Sequence, residues 1–522
     1  MNPVELAQKI EERYRRYLKS TFYFKDPVLR ASFEEALDSG HLRRGPFLEA
    51  TPVFKRGRTM RTLCERLLGL EPDEAFLRAV QSQRPLYRHQ EQAIQKVFEG
   101  RNAIVATGTG SGKTEAFLYP ILLHLYNEFQ AAKLDPGVRA LILYPMNALA
   151  NDQRDRLAGP PTDTSPPGVL WTLADLRSRF MFTFGQYIGE TPEDENDTRR
   201  HARDHIANRL PGELVLRSEM RRTPPHILLT NYSMLEYLLL RPDDSPLFDN
   251  GQAKWWNFIV LDEAHQYRGS RGIEMAMLLR RLKQRLREGG RSGPFRCIAT
   301  SATLAGGAED RVEVAEFARA LFDEEFHDED VILGETEPIP EPSAEVLTLE
   351  DYGFLAQALD QSSTEVGGRL SELATRVGIS PSSGGEITKM VGELLQHDGR
   401  AGKLRKLITE RPVELADTAA QVFGELSNEQ RVSETSALVA LLLRAKDPVT
   451  DAPLLSARYH LFLRSLEGAF VSYSPEKKVY LDRSASGGEQ GAFEVALCRE
   501  CCCLPGLASK PRHIAFPPFR RQ

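Results

Sequence analysis

Cysteine is scarce in this sequence, six in 522 residues, and four of the six crowd into CRECCC at Cys498 to Cys503. Cys64 and Cys297 stand alone among apolar neighbours, as buried thiols do in a reducing compartment, so no disulfide framework is expected. Long apolar runs are also missing. The longest, ALVALLL from Ala437, falls far short of the roughly 20 residues that cross a bilayer. The opening MNPVELAQKIEERYRRYLKS is charged and helical in pattern and lacks the apolar core of a signal peptide. These absences argue against a membrane partner and point to a cytoplasmic protein. A net charge of −6 neither announces nor excludes a nucleic-acid partner, because such sites are local basic strips on many acidic proteins. At 41% hydrophobic and 27% charged residues the chain is globular in type, and its length calls for about two to four domains.

What is present begins with organisation. Residues 1–75 read as a helical N-terminal extension. From about residue 80, short apolar runs alternate with helical or loop sequence: NAIVA at Asn102, ALILY at Ala140, HILLT at His226, FIVL at Phe258 and RCIAT at Arg296. Strands buried on both faces and separated by helices make a parallel α/β sheet, here over residues 76–330 with a Pro-, Asp- and Arg-rich insertion at 158–225. The stretch Ile273 to Leu286 places Met275, Leu278, Leu279, Leu282 and Leu286 on one face and predicts a helix covering that sheet. A Pro/Glu-rich linker at 331–350 leads to a mainly helical accessory region at 351–485, and the helix spacing within 350–450 would suit a winged-helix-like module. Residues 486–522 form a Cys-containing tail expected to be disordered. No internal repeat is visible.

Chemistry concentrates at two motifs about 150 positions apart. The first, Thr107-Gly108-Thr109-Gly110-Ser111-Gly112-Lys113-Thr114, follows a strand and opens a helix. Its glycines let backbone N–H groups approach phosphate, Lys113 brings a point charge, and Thr114 brings a hydroxyl ligand for Mg²⁺. The second is a buried strand ending in Asp262-Glu263-Ala264-His265. Asp262 would hold the Mg²⁺ through water, and Glu263 would orient and deprotonate the attacking water. The bland alternative, a glycine-rich turn with an incidental lysine, explains neither the order nor the flanking elements. Upstream, the amide of Gln90 can read both donor and acceptor edges of adenine, which favours ATP; alone it would be a helix-surface residue. Downstream, Thr300-Ser301-Ala302-Thr303 puts small hydroxyls beside the DEAH strand end.

Together these elements resemble superfamily 2 helicases of the DEAD/DEAH type. YPMNALANDQ from Tyr144, ILLTNYSMLEYLLLRP from Ile227 and DEAHQYRGSRGIEMAMLLRRL from Asp262 narrow the resemblance to the large YprA-like bacterial helicases. The resemblance implies a RecA-like P-loop sheet with helices on both faces, and catalysis by Lys113, Asp262, Glu263 and His265. It further implies ATP and Mg²⁺ as cofactors, with Thr114 and Asp262 as metal ligands. Pro145, Asn147, Thr230 and Asn231 would touch the sugar-phosphate backbone of one strand, DNA more than RNA, while Ser301 and Thr303 couple nucleotide to strand through His265. A motor of this kind needs a second RecA-like lobe bearing an arginine finger. The segment Gln396 to Lys403 mimics the finger motif but follows a helical stretch without buried strands. Cys498 and Cys501 resemble the first half of a zinc ribbon, yet no second pair follows at ligand spacing, so Zn²⁺ is doubtful. The expectation is that the reading frame is lost near Cys501; a basic tail that binds nucleic acid is the alternative. The chain is therefore expected to be the ATP-binding lobe of an ATP-dependent helicase or translocase, completed by a second chain. A nucleotide-dependent binding module, or an inactive fragment, is the competing function.

Overall fold

Each of the five apolar runs is a strand in the computed structural model: Ala103–Ala106 (β1), Ala140–Tyr144 (β2), Ile227–Asn231 (β5), Phe258–Leu261 (β6) and Arg296–Ser301 (β7). The structure describes residues 3–39, 42–69, 71–108, 110–163, 165–197, 204, 206–304, 307–339, 347–360, 364–379, 386–464, 466, 468–474, 476–481 and 493–495. Three further strands, Phe184–Tyr187 (β3), Glu213–Leu214 (β4) and Val331–Leu333 (β8), complete an eight-stranded sheet of order β8-β1-β7-β6-β2-β5-β3-β4. Every pairing in it is parallel. Side chains of a strand alternate between faces. Ala103, Val105, Ala140 and Ile142 accordingly enter one core, whereas Ile104, Leu141 and Leu143 enter the other. The first face is covered by helices Arg88–Phe98 (α1) and Lys113–Gln130 (α2), the second by Ser270–Glu288 (α4) and Arg311–Phe322 (α5). Helix α4 buries Met275, Leu278, Leu279, Leu282 and Leu286, the face read from its spacing. Helix Asn147–Ala158 (α3) follows β2.

The chain divides at 52/53 and 337/338 rather than near 75 and 330: one unit is Val53–Glu337, the other joins residues 1–52 to 338–522. Pairing explains both shifts. Strand Arg43–Ala50 lies antiparallel between Val413–Glu414 and Ala457–Leu463, with Phe47 opposite Glu414 and His460. At the other boundary, the start of the expected linker is β8, paired with β1. The insertion at 158–225 likewise supplies β3 and β4, which widen the sheet. In the second unit, helix Gly399–Glu410, strand Val413–Glu414, helices Leu415–Val422 and Asn428–Arg444, and strand Ala457–Leu463 follow one another, and Arg43–Ala50 is the central strand of the three-stranded sheet. Within the finger-like segment Asp398 caps helix Gly399–Glu410 and Arg400 pairs with Glu425 at 2.7 Å, both structural uses. Among the described residues no helix is long and apolar enough to cross a membrane. Cys498 and Cys501 lie outside the described residues.

Candidate functional site

The glycine loop runs from the carboxyl end of β1 to the first turn of α2, where an open parallel sheet binds its ligands. Gly110 and Gly112 have φ of 78° and 71°, the left-handed region that favours glycine. Gly112 is required twice over, since a Cβ there would stand 2.3 Å from the Gln90 amide nitrogen. Helix α2 then presents its unpaired N–H groups to the loop, a ready anion site. Thr109 lies outside the described residues. The base of the loop is braced by neighbours: Thr107 Oγ1 lies 2.6 Å from Ser111 Oγ, the Thr107 amide donates to the Ser301 carbonyl at 3.0 Å, and His89 Nε2 donates to the Ser111 carbonyl at 2.8 Å. Burial lowers the His89 pKa, consistent with a neutral ring serving as donor.

Gln90 sits on the loop itself. Its Oε1 accepts the Tyr87 amide and its Nε2 donates to the Gly112 carbonyl, each at 2.8 Å. A primary amide has two donors and two acceptor lone pairs, so one of each stays open for a base edge.

Lys113 and the DEAH carboxylates come together across β1 and β6. Lys113 Nζ donates to the Thr107 carbonyl at 3.2 Å and lies 3.8 Å from Glu263 Oε1. Burial holds its pKa below the usual lysine value, opposed by Glu263 and Asp262. Glu263 adopts a left-handed backbone, φ 52° and ψ 47°, a strained conformation for a non-glycine residue. His265 Nδ1 lies 3.3 Å from Glu263 Oε2 and 3.4 Å from Ser301 Oγ. Burial raises the pKa of Asp262, and the hydrogen bond from Thr300 opposes that rise. For a divalent cation the oxygen donors at hand are the Thr114 hydroxyl and Asp262, while Glu263 Oε2 is buried without a hydrogen-bond partner among the described residues. Hard oxygen donors of this kind suit Mg²⁺.

Of the two expected coupling residues, Ser301 lies beside His265, but Thr303 does not reach the DEAH turn. Thr300, rather than Thr303, touches the DEAH turn: its hydroxyl donates to Asp262 Oδ1 and accepts the Glu263 amide at 3.2 Å. Thr303 is exposed; its amide donates to Ser301 Oγ and its carbonyl meets Arg268 at 3.5 Å. The reason is register. Ala299 stands beside Leu261, so the next residue, Thr300, stands beside Asp262.

Of the four expected strand-contact residues, Pro145, Asn147 and Asn231 line one cavity of about 490 Å³ together with Gln266, Arg271 and Glu274. Asn231 Nδ2 donates to Asn147 Oδ1 at 2.7 Å. Thr230 does not share that surface, because it is buried and its hydroxyl donates to the Tyr187 carbonyl at 2.6 Å. A phosphate-cradling loop, its lysine and two strand-end carboxylates on a parallel sheet define a P-loop NTPase domain.

Residues 87–165 and 204–311 match the model of the DEAD/DEAH box helicases. The Druantia protein DruE of Escherichia coli (strain UMEA 4076-1) is 28% identical across 97% of this chain and 32% of its own length. The ATP-dependent helicase YprA of Bacillus subtilis (strain 168) is 32% identical across 43% of this chain and 24% of its own length. Among solved structures, the DUF1998 helicase MrfA bound to DNA is 21% identical over 63% of this chain and 41% of its own, with a TM-score of 0.38. The chain thus spans about a third or less of these two curated relatives. The family implies ATP and a divalent metal ion.

Proposed function

We propose that this chain is the ATP-binding lobe of a nucleic-acid helicase or translocase, which hydrolyses ATP while holding the backbone of one strand. The observation that carries it is the juxtaposition, along one end of one sheet, of the Lys113, Asp262 and Glu263 cluster with the polar cavity of Pro145, Asn147 and Asn231. Incoming phosphates would take Lys113 from the Thr107 carbonyl and from Glu263, because a phosphate oxygen is the stronger partner for an ammonium group. Freed of that lysine, Glu263 can accept a proton from the attacking water, with His265 and Ser301 fixing its side. Mg²⁺, held by Thr114 and Asp262, would neutralise charge on the phosphates. Gln90 would spend its open donor and acceptor on adenine. Asparagine side chains and backbone at strand ends grip phosphate and sugar without reading sequence. DNA is the proposed strand, on the resemblance to the YprA-like helicases. Among the described residues there is one parallel sheet of this kind, so the second lobe and its arginine finger would come from outside them.

The test compares ATP turnover with and without single-stranded DNA in the wild type and in Glu263→Gln. Strand-stimulated turnover, abolished by the substitution, is expected. Turnover equal to that of the mutant under both conditions would leave a nucleotide-dependent binding module instead.

A further inference from the structure

Helix α3 touches both halves of the site. At its N-terminus Asn147 accepts from Asn231, and one turn later Asn151 Oδ1 accepts from Gln186 Nε2 at 2.8 Å. Residues four apart share a helix face, so this side of α3 is fastened to the strand ends of β5 and β3. Gln153 follows two positions on, about 200° around the helix. It is 8% exposed, and its Nε2 donates to Thr114 Oγ1 at 3.3 Å. Arg156, on the same side as Gln153, pairs with Glu115 at 3.4 Å. One face of the helix therefore carries Asn147 of the strand cavity, and the opposite face meets the hydroxyl that the metal ion needs.

We propose that Gln153 is a positioning residue that couples strand binding at Asn147 and Asn231 to nucleotide binding at Thr114. This rests on the ATP- and strand-binding function proposed above. Six residues of α3, roughly 9 Å, separate Asn147 from Gln153, and a helix that short moves as one body. A strand that displaces Asn147 and Asn231 must therefore shift or turn the amide against Thr114. A threonine hydroxyl has two lone pairs and one proton. With Gln153 as donor, one lone pair is occupied and the other is free for a cation. If the amide turns over, its oxygen can accept the hydroxyl proton and leave both lone pairs available. The direction of the Gln153 amide thus sets how well Thr114 can act as a ligand. Gln153 does not line the strand cavity and meets the nucleotide site at the Thr114 hydroxyl, so its effect is on the linkage between them.

Linkage is reciprocal, which makes it measurable without turnover. The full chain is titrated with a fluorescent non-hydrolysable ATP analogue in Mg²⁺, with and without saturating single-stranded DNA. The strand is then titrated with and without the analogue. In the wild type each ligand should change the affinity of the other by the same factor, typically about 5- to 150-fold. In Gln153→Met, which keeps the side-chain volume, that factor should fall to within about twofold of unity, while strand affinity without nucleotide stays within about twofold of wild type. Gln153→Asn, which keeps the amide but shortens its reach, should behave alike. Arg156→Ala, on the same side of the helix but paired with Glu115 rather than with the Thr114 hydroxyl, should retain the wild-type factor. Both ligands bound with the full coupling factor in Gln153→Met would overturn this proposal alone. Failure of the wild type to bind Mg²⁺-nucleotide or strand would overturn it together with the function on which it rests.

Discussion

Thr300→Val removes one oxygen from the least exposed part of the site and keeps the side-chain shape. The hydroxyl serves two partners, donating to Asp262 Oδ1 and accepting the Glu263 amide. A hydrogen bond to a charged acceptor is worth about 1.5–3 kcal/mol, and a buried N–H left without an acceptor costs about 1–3 kcal/mol. The first loss falls on the charged form of Asp262, which burial already disfavours. Since the metal ion binds that charged form, Mg²⁺-dependent nucleotide affinity should drop by the same 1.5–3 kcal/mol, about 10- to 150-fold at 1.36 kcal/mol per decade. The second loss falls on folding and should lower the melting temperature by several degrees. Isothermal titration of an ATP analogue in Mg²⁺ and in EDTA separates the two. The Mg²⁺ titration should weaken, and the EDTA titration should change little, because Thr300 supports Asp262 rather than the glycine loop. Thr300→Ser keeps the hydroxyl and should restore most of both. Mg²⁺-dependent affinity within twofold of wild type in Thr300→Val would refute the reasoning.

The remaining predictions concern groups that the fold holds in unusual states. Burial pushes the His226 pKa down to about 4, while the unfolded chain titrates near 6.5. Between those values the unfolded state carries a proton that the folded state lacks, so stability is present above about 6.5 and is lost as pH falls towards 4, by about 3 kcal/mol from this residue. Urea midpoints at pH 7 and pH 5 should show about 2 kcal/mol of that loss, and His226→Asn should flatten it. Cys64 and Cys297 are buried with thiols pushed up to about 12, so iodoacetamide at pH 8 should leave both unmodified in native protein and label both in guanidinium, as read by peptide mass mapping. Lys283 is fully buried and donates to the Phe322 carbonyl and, at 2.6 Å, to Glu324. Lys283→Met should destabilise by about 3–5 kcal/mol in thermal melts, because among the described residues it leaves the Glu324 carboxylate with Arg287 at 3.9 Å, and adding Glu324→Gln should recover much of that.

What could be read from the sequence, and what could not, divides by the distance over which each residue acts. The five inner strands are apolar on both faces, and the glycine loop binds through its own backbone, so each carries a local signature. Strands β3, β4 and β8 are short and sit toward the sheet edges, and FGQY looks like loop sequence because Gly185 and Gln186 interrupt the apolar pattern. The pairing of Arg43–Ala50 with Ala457–Leu463 joins segments some 410 positions apart, and nothing local in either announces the other. Within the site the same division holds. The meeting of Lys113 with Glu263 is legible because each residue begins or follows an element at the carboxyl end of the sheet. Thr300 was not singled out, since its role depends on which residue of β7 lies beside Asp262. That register follows from Ala299 facing Leu261 and is invisible in a Ser-Ala-Thr tripeptide. Gln153 was hidden in the same way: on α3 it is one polar residue among several, and only packing brings it to Thr114. Residues placed by the element they begin or end are thus written in motifs, whereas those that meet them from neighbouring elements are written in register and packing. This division also sets what each substitution can show. Glu263→Gln asks whether the chemistry is present, and Thr300→Val and Gln153→Met ask whether the fold controls it.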